Sequence, residues 1–243
     1  MPRTILTISG LDPCGGAGIH ADIKTARAIG LHSASVITAL TVQNTCAAKS
    51  VYPVDSGVIR EQIRDVLDDI GIDCIKIGLV PSLDVAEAIS NEIEKLEVPK
   101  VLDPVVFAGA GGKLGERDAY VHLLRYVDLV TPNLSEARII TSARSPEELA
   151  LTIFRNYGCN VVITGGEMNG KDIICENGRI YTVTAEFSPV NIHGTGCVYS
   201  TSLACYLGMG YGIEDAVRKA RVFVLESVKK ALRPGKCFPV VNP

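Results

Sequence analysis

The run "HGTGC", His193 to Cys197, sets a thiol behind two glycines at the start of an apolar segment. Gly194, Thr195 and Gly196 allow successive backbone N–H groups to converge, and a helix starting near Cys197 points its positive end at the same spot. That combination forms an anion hole suited to a phosphoryl group. A thiol in the first helical turn has its thiolate favoured by the dipole, which suits Cys197 to take a proton from an attacking hydroxyl. The same residues equally compose a glycine-rich helix start capped by Thr195, with Cys197 a buried packing thiol.

Four further stretches carry polar groups that phosphoryl transfer uses. "TPNLSE" gives Asn133-x-x-Glu136, which reads either as a helix capping box or as oxygen donors around Mg²⁺. Asp103 in "LDPVV" offers a second carboxylate, or simply an Asp-Pro turn. "SGLDPCGGAGIHAD" joins an acidic residue to three glycines, so backbone can approach a flat ligand, or merely turn. In "TALTVQNT" the amide of Gln43 presents a donor beside an acceptor, matching an aminopyrimidine edge, or faces water in a loop. "GGEMNGKD" imitates a nucleotide-binding P-loop but has Asp172 where Ser or Thr is needed, and a hairpin rather than a helix follows it.

These residues need elements to hold them. "TILTISG" reads as a strand and residues 16–30 as a helix with Ile19, Ile23, Ala26 and Ile29 on its apolar face. Strand and helix patterns then alternate: strands near 33–40, 74–80, 100–106, 127–133 and 159–166, helices near 56–69, 82–96, 116–124 and 146–157. "DIICENGRIYTVTA" breaks the rhythm as a hairpin turning at Asn177-Gly178, and two helices close the chain near 197–208 and 213–232. Short strands apolar on both faces and separated by helices predict an α/β chain with a mainly parallel sheet covered on both sides. Ligands of such sheets sit beyond the carboxyl ends of the strands, where Asp12, Gln43, Asp103, Asn133 and Thr164 fall.

Length and composition narrow the function. The 243 residues suffice for one large domain spanning 1–243, and a formal charge of −3 with scattered Lys and Arg gives no face for nucleic acid. The uncharged runs 28–48 and 187–213 contain too many polar groups and glycines to cross a membrane. The N-terminal segment lacks a signal-peptide core, so the chain reads as cytoplasmic. Eight cysteines form no C-x-x-C pair and establish no disulfide framework; most read as small core residues, and the four histidines lack zinc spacing.

In this order, "SGLDPCGGAGIHADIKTARAIG", "SVITALTVQNT", "KIGLV", "VLDPVV", "TPNLSEA" and "HGTGC" resemble the hydroxymethylpyrimidine/phosphomethylpyrimidine kinases, the thiamine-biosynthesis branch of the ribokinase superfamily. The resemblance implies a three-layer α/β/α sandwich, a homodimer, and ATP with Mg²⁺ as cofactors. The acceptors would be 4-amino-5-hydroxymethyl-2-methylpyrimidine and then its monophosphate. It further implies Cys197 as the base where most relatives carry aspartate, and Gly194, Thr195 and Gly196 as the anion hole. Gln43 would read the pyrimidine, with Gly10, Asp12, Ala17, Leu79 and Val105 around the ring. Asp103, Asn133 and Glu136 would hold the metal, and Thr164 and Gly166 would lie by the nucleotide.

Two departures stand out. Thr164 occupies the place of a lysine common in the family, for which Lys113 or Lys171 would have to compensate, and Leu79 stands where methionine is frequent. Two rival readings are a pyridoxal kinase of the same superfamily and a ligand-binding regulator that has lost catalysis.

Overall fold

The structure, a computed structural model, describes residues 2–107, 112, 114–186 and 191–243. Nine strands form one sheet in the order β3-β2-β1-β4-β5-β6-β7-β8-β9. They are β1 (Thr4–Leu11), β2 (His32–Gln43), β3 (Ala48–Pro53), β4 (Cys74–Ile77), β5 (Lys100–Leu102), β6 (Leu129–Val130), β7 (Asn160–Ile163), β8 (Lys171–Glu176) and β9 (Arg179–Thr184). The six from β2 through β7 pair in parallel, and β3, β8 and β9 are antiparallel additions at the two edges.

Side-chain alternation splits the core into two layers. Leu6, Ile75, Leu102 and Val130 point to one face. There they meet α2 (Ser56–Asp69), α3 (Leu83–Ile93), α4 (Arg117–Leu123), α5 (Leu134–Ile140) and α6 (Pro146–Tyr157). Ile5, Cys74, Val101 and Leu129 point to the other, against α1 (Gly18–Ile29), α7 (Thr195–Gly208) and α8 (Ile213–Lys229). The result is the expected α/β/α sandwich. Each fully buried aliphatic side chain stabilises it by roughly 1.5–3 kcal/mol.

Several elements differ from the sequence expectation. β3 was not foreseen: with the end of β2 it makes a hairpin flap whose outer face exposes Leu40, Val42 and Tyr52. The inward face of α1 carries Ile19, Asp22, Thr25 and Ala26, while Ile23 is turned to solvent. α7 begins two residues earlier than predicted and is buried continuously from Cys197 to Cys205, because it lies between the sheet, α1 and α8. "GGEMNGKD" becomes a 3₁₀ turn over Gly165–Glu167 leading into a strand. Its Asp172 is a buried anchor, accepting from Gly165 N–H (2.6 Å), Tyr199 O–H and the guanidinium of Arg221.

Four of the cysteines, Cys74, Cys159, Cys175 and Cys205, are buried packing thiols as expected. Cys46 and Cys237, which no spacing rule pairs, form a disulfide across 191 residues. Among the described residues no helix is long and apolar enough to cross a membrane.

Candidate active site

The carboxyl ends of the parallel strands, the flap and the start of α7 enclose a cavity of about 330 Å³. It is lined by every residue nominated above: Gly10 near the end of β1, Asp12 and Ala17 after it, Gln43 on the flap, Leu79, Asp103 and Val105. The nominated residues Asn133, Glu136, Thr164 and Gly166 and the Gly194–Cys197 turn complete the wall. Sheet topology assembles them, since each follows a strand whose carboxyl end points the same way.

The anion-hole turn is built on backbone geometry. Gly194, not Thr195, is the residue preceding the first helical turn, with φ +92°, and no side chain caps the amides there. Thr195 instead donates its hydroxyl to the Ile192 carbonyl (3.3 Å). Among the described residues no side chain bonds to these amides, and the turn lines the cavity.

Asp12 locks this turn to the loop after β1. Its Oδ2 accepts from Gly16 N–H (3.1 Å), Ala17 N–H (2.8 Å), the Cys14 thiol (3.2 Å) and His193 Nε2 (2.9 Å), and its Oδ1 accepts from Cys14 N–H (2.9 Å). The carboxylate thus organises backbone and His193 while Asp12 lines the cavity. Asp12, Cys14 and His193 also make the one trio with metal-ligand proximity among the described residues, but Oδ2 is already saturated by four donors.

Burial alone would raise the Asp12 carboxyl; the hydrogen bonds from His193 and Cys14 outweigh it and hold the group well below the usual carboxylate range. A depressed pKa contributes stability that is present above the unfolded value and lost as pH falls toward the folded one. We therefore expect the melting temperature to fall as the solution is acidified below about pH 4. Asp12→Asn should lose about 1–3 kcal/mol at neutral pH and show a flatter acid limb when both proteins are melted across that range.

Beneath Cys197 lies a charge cluster that sequence reasoning passed over. Strand alternation turns Lys76 of β4 toward α1 and α7, where its ammonium donates to both oxygens of Asp22 (2.9 and 3.1 Å) and stands 4.0 Å from Asp103. Thr201 donates to Asp22 (2.6 Å) and Ser200 to Asp103 (2.9 Å). Lys76 and Asp22 are completely buried, so each requires the other. Burial alone would strip the lysine of its proton; Asp22, Cys197 and Asp103 together hold its pKa above the ordinary range.

Cys197 departs from the expectation of a dipole-lowered thiol. Burial pushes it up to about 12, opposed by Lys76 and reinforced by Asp103 and Asp22. The helix terminus is the weaker influence because Cys197 is only 9 % exposed and stands near two carboxylates. The free site therefore holds a protonated thiol.

On the acceptor side, Gln43 Oε1 is buried without a hydrogen-bond partner among the described residues. Leaving such an oxygen unpaired costs about 1–3 kcal/mol, which a ligand donor would recover. A side chain at Gly10 would run into Leu79, so the backbone there packs flat under the leucine.

On the opposite side Asn133 and Glu136 form the complete capping box: Oδ1 accepts from Glu136 N–H (2.8 Å) and a Glu136 oxygen from Asn133 N–H (2.9 Å). Glu136 still lines the cavity, and burial, with Asp103 next, pushes its carboxyl up to about 8. Asp103 is likewise raised by burial. Burial raises both carboxyls, the charge of Asp103 adds to the rise at Glu136, and both are the hard oxygen donors that a divalent cation takes. Thr164 and Gly166 edge the same side, but Lys171 is exposed and outside the cavity wall. Lys113 lies outside the described residues, and among those described no Lys or Arg lines the cavity.

This set of groups has relatives. The phosphomethylpyrimidine kinase family model matches residues 12–242. The chain belongs to that family. The hydroxymethylpyrimidine/phosphomethylpyrimidine kinase of Haemophilus influenzae is 32% identical over 96% of this chain and 94% of its own length. The Salmonella typhimurium enzyme of the same name is 34% identical over 95% and 93%. Among solved structures, the phosphomethylpyrimidine kinase of Clostridium difficile superposes with a TM-score of 0.79, 31% identity and coverage of 93% and 99%. A pyridoxal kinase of Staphylococcus aureus in complex with pyridoxal reaches 0.86 at 27% identity, covering 100% and 93%. The chain is accordingly a phosphotransferase with the ribokinase-like sandwich and binds ATP.

Proposed function

We propose that this kinase transfers the γ-phosphoryl of ATP to 4-amino-5-hydroxymethyl-2-methylpyrimidine and then to the monophosphate so formed, supplying the diphosphate for thiamine diphosphate synthesis. The observation that carries this reading is the buried oxygen of Gln43, without a partner among the described residues, in the wall of the cavity that also holds Cys197. A 4-amino group donates to that oxygen, the ring rests between Leu79 and Val105 and the backbone of Gly10 and Ala17, and the hydroxymethyl group is carried toward the sulfur.

Catalysis is in-line displacement governed by position and charge. The Gly194–Cys197 amides hold the terminal phosphoryl group, with Thr164 and Gly166 beside the nucleotide. Asp103 and Glu136, with Asn133 orienting Glu136, would hold Mg²⁺, which supplies charge neutralisation for the polyphosphate. Lys76 carries the positive charge beneath Cys197 that favours its thiolate when the sulfur takes the alcohol's proton. The second acceptor is already an anionic phosphate and needs no base.

The molecule works as one ribokinase-like domain over 1–243 in the cytoplasm, and the exposed apolar face of Leu40, Val42 and Tyr52 on the flap supports a homodimer. The pyridoxal reading keeps one support, the structural likeness to pyridoxal kinases. A coupled ADP-release assay with the pyrimidine, its monophosphate, pyridoxal and no acceptor tests both. We expect turnover with the two pyrimidines to exceed that with pyridoxal; ATP consumption indifferent to acceptor would refute the assignment.

A further inference from the structure

After α8 the chain doubles back past His193, a residue of the cavity wall. Leu232 and Val240 exchange backbone hydrogen bonds (2.9 and 2.8 Å), and His193 donates to Pro239 (2.9 Å) and accepts from Val241 (3.0 Å). This segment is thereby stitched to the residue preceding Gly194. At its other end it reaches the flap: Phe238 N–H donates to the Thr45 carbonyl (3.1 Å), Gly235 packs on the Thr45 side chain, and Cys237 is bonded to Cys46. Cys46 sits in the turn that Asn44 shapes by accepting from Cys46 and Ala47 N–H (2.8 and 3.1 Å), three residues past Gln43.

The C-terminal segment therefore spans from the acceptor anchor to the anion hole, joined to the flap by the Phe238–Thr45 backbone hydrogen bond, by Gly235 against Thr45 and by the covalent link. Both cysteines are exposed, so small thiols reach the bond, and exposed disulfides are the labile, regulatory kind.

We propose that the Cys46–Cys237 disulfide is a reversible clasp on the acceptor site: closed, it pins the flap so that Gln43 stays over the cavity; opened, it frees the flap and weakens capture of the acceptor. The effect on affinity rests on the role given to Gln43 above. Opening is thiol–disulfide exchange with a glutathione-type thiol. One thiolate attacks a protein sulfur, breaking the S–S bond and forming a mixed disulfide, and a second thiol resolves it. Two thiols become one small disulfide, and Cys46 and Cys237 each end as S–H. Closing is the reverse, with the small disulfide as two-electron oxidant.

The test compares oxidised enzyme, enzyme reduced with dithiothreitol, and the Cys46→Ser/Cys237→Ser variant. Amide hydrogen exchange over residues 43–48, recorded without substrate, should quicken on reduction and match the variant. If the untied flap spends about a tenth of its time in place, the KM for the pyrimidine rises about tenfold while that for ATP stays within about twofold. The variant should show the raised KM whether or not thiol is present, which separates the clasp from any action of the reagent on Cys197. Unchanged exchange, or equal pyrimidine KM in the oxidised and reduced wild type, overturns the clasp. Quickened exchange with no pyrimidine turnover in either state upholds the clasp and instead sinks the acceptor assignment. Should the variant not fold, the two wild-type states still decide the matter.

Discussion

Gly194→Ala will abolish useful turnover with both acceptors. The residue holds φ +92°, and a Cβ there would collide with the Gly16 carbonyl and come within 3.1 Å of Val241. Alanine in the left-handed region costs roughly 1–2 kcal/mol by itself, and the carbonyl cannot yield, because Gly16 and Ala17 are held by Asp12. The strain is relieved only by moving the turn whose amides receive the phosphoryl group. Loss of one such preorganised donor lowers kcat by about 10²–10³-fold, and in the proposed mechanism both phosphorylations use the same amides. Steady-state kcat with each acceptor, alongside far-ultraviolet circular dichroism to show a retained fold, measures it. A variant with more than about a tenth of wild-type kcat would mean that the phosphoryl group is held elsewhere.

Cys197→Ala should produce an asymmetric loss. General-base assistance contributes about 10²–10⁴-fold, equivalent to about 3–5 kcal/mol of barrier, and only the alcohol acceptor needs it. The first phosphorylation should fall by that order while the second stays within about threefold of wild type. The structure sharpens this expectation: a thiol pushed up to about 12 in the free site acts as a base only in the assembled complex, beside Lys76 and with the neighbouring carboxylates neutralised. Single-turnover rates with each acceptor read the split. Equal losses in both steps would assign the sulfur to packing or binding rather than proton transfer.

The sheet, its two helical layers and the end of the sheet that carries the site were legible because they follow from local patterns: apolar strands of period two and helices of period 3.6. All the nominated wall residues came together for the same reason, as each ends a strand or opens a helix. What escaped detection depends on distant partners. Lys76 in "KIGLV" was a visible anomaly, a charge inside an apolar strand, yet its meaning needed Asp22 from a helix 54 residues earlier. Asp22 itself was hidden because Ile23 beside it seemed the better inward residue. His193 was quoted in its motif without a role, since its partner Asp12 lies 181 residues away. The disulfide was illegible for the same reason. The shift of Cys197 was misjudged because the dipole is local and visible in sequence, whereas burial and opposing carboxylates are not.

One consequence follows from where the sheet places its antiparallel margin. The amide proposed to read the ring rides on the β2–β3 hairpin at the border of the sheet, while the groups proposed to manage phosphate, metal and proton follow its interior strands or open α7. A hairpin at a border can lengthen, twist or change its residues without disturbing the layers behind it. Descendants of such a scaffold can exchange one heterocycle for another while inheriting the phosphoryl machinery intact, and kinases for different vitamins on one common frame are the expected outcome.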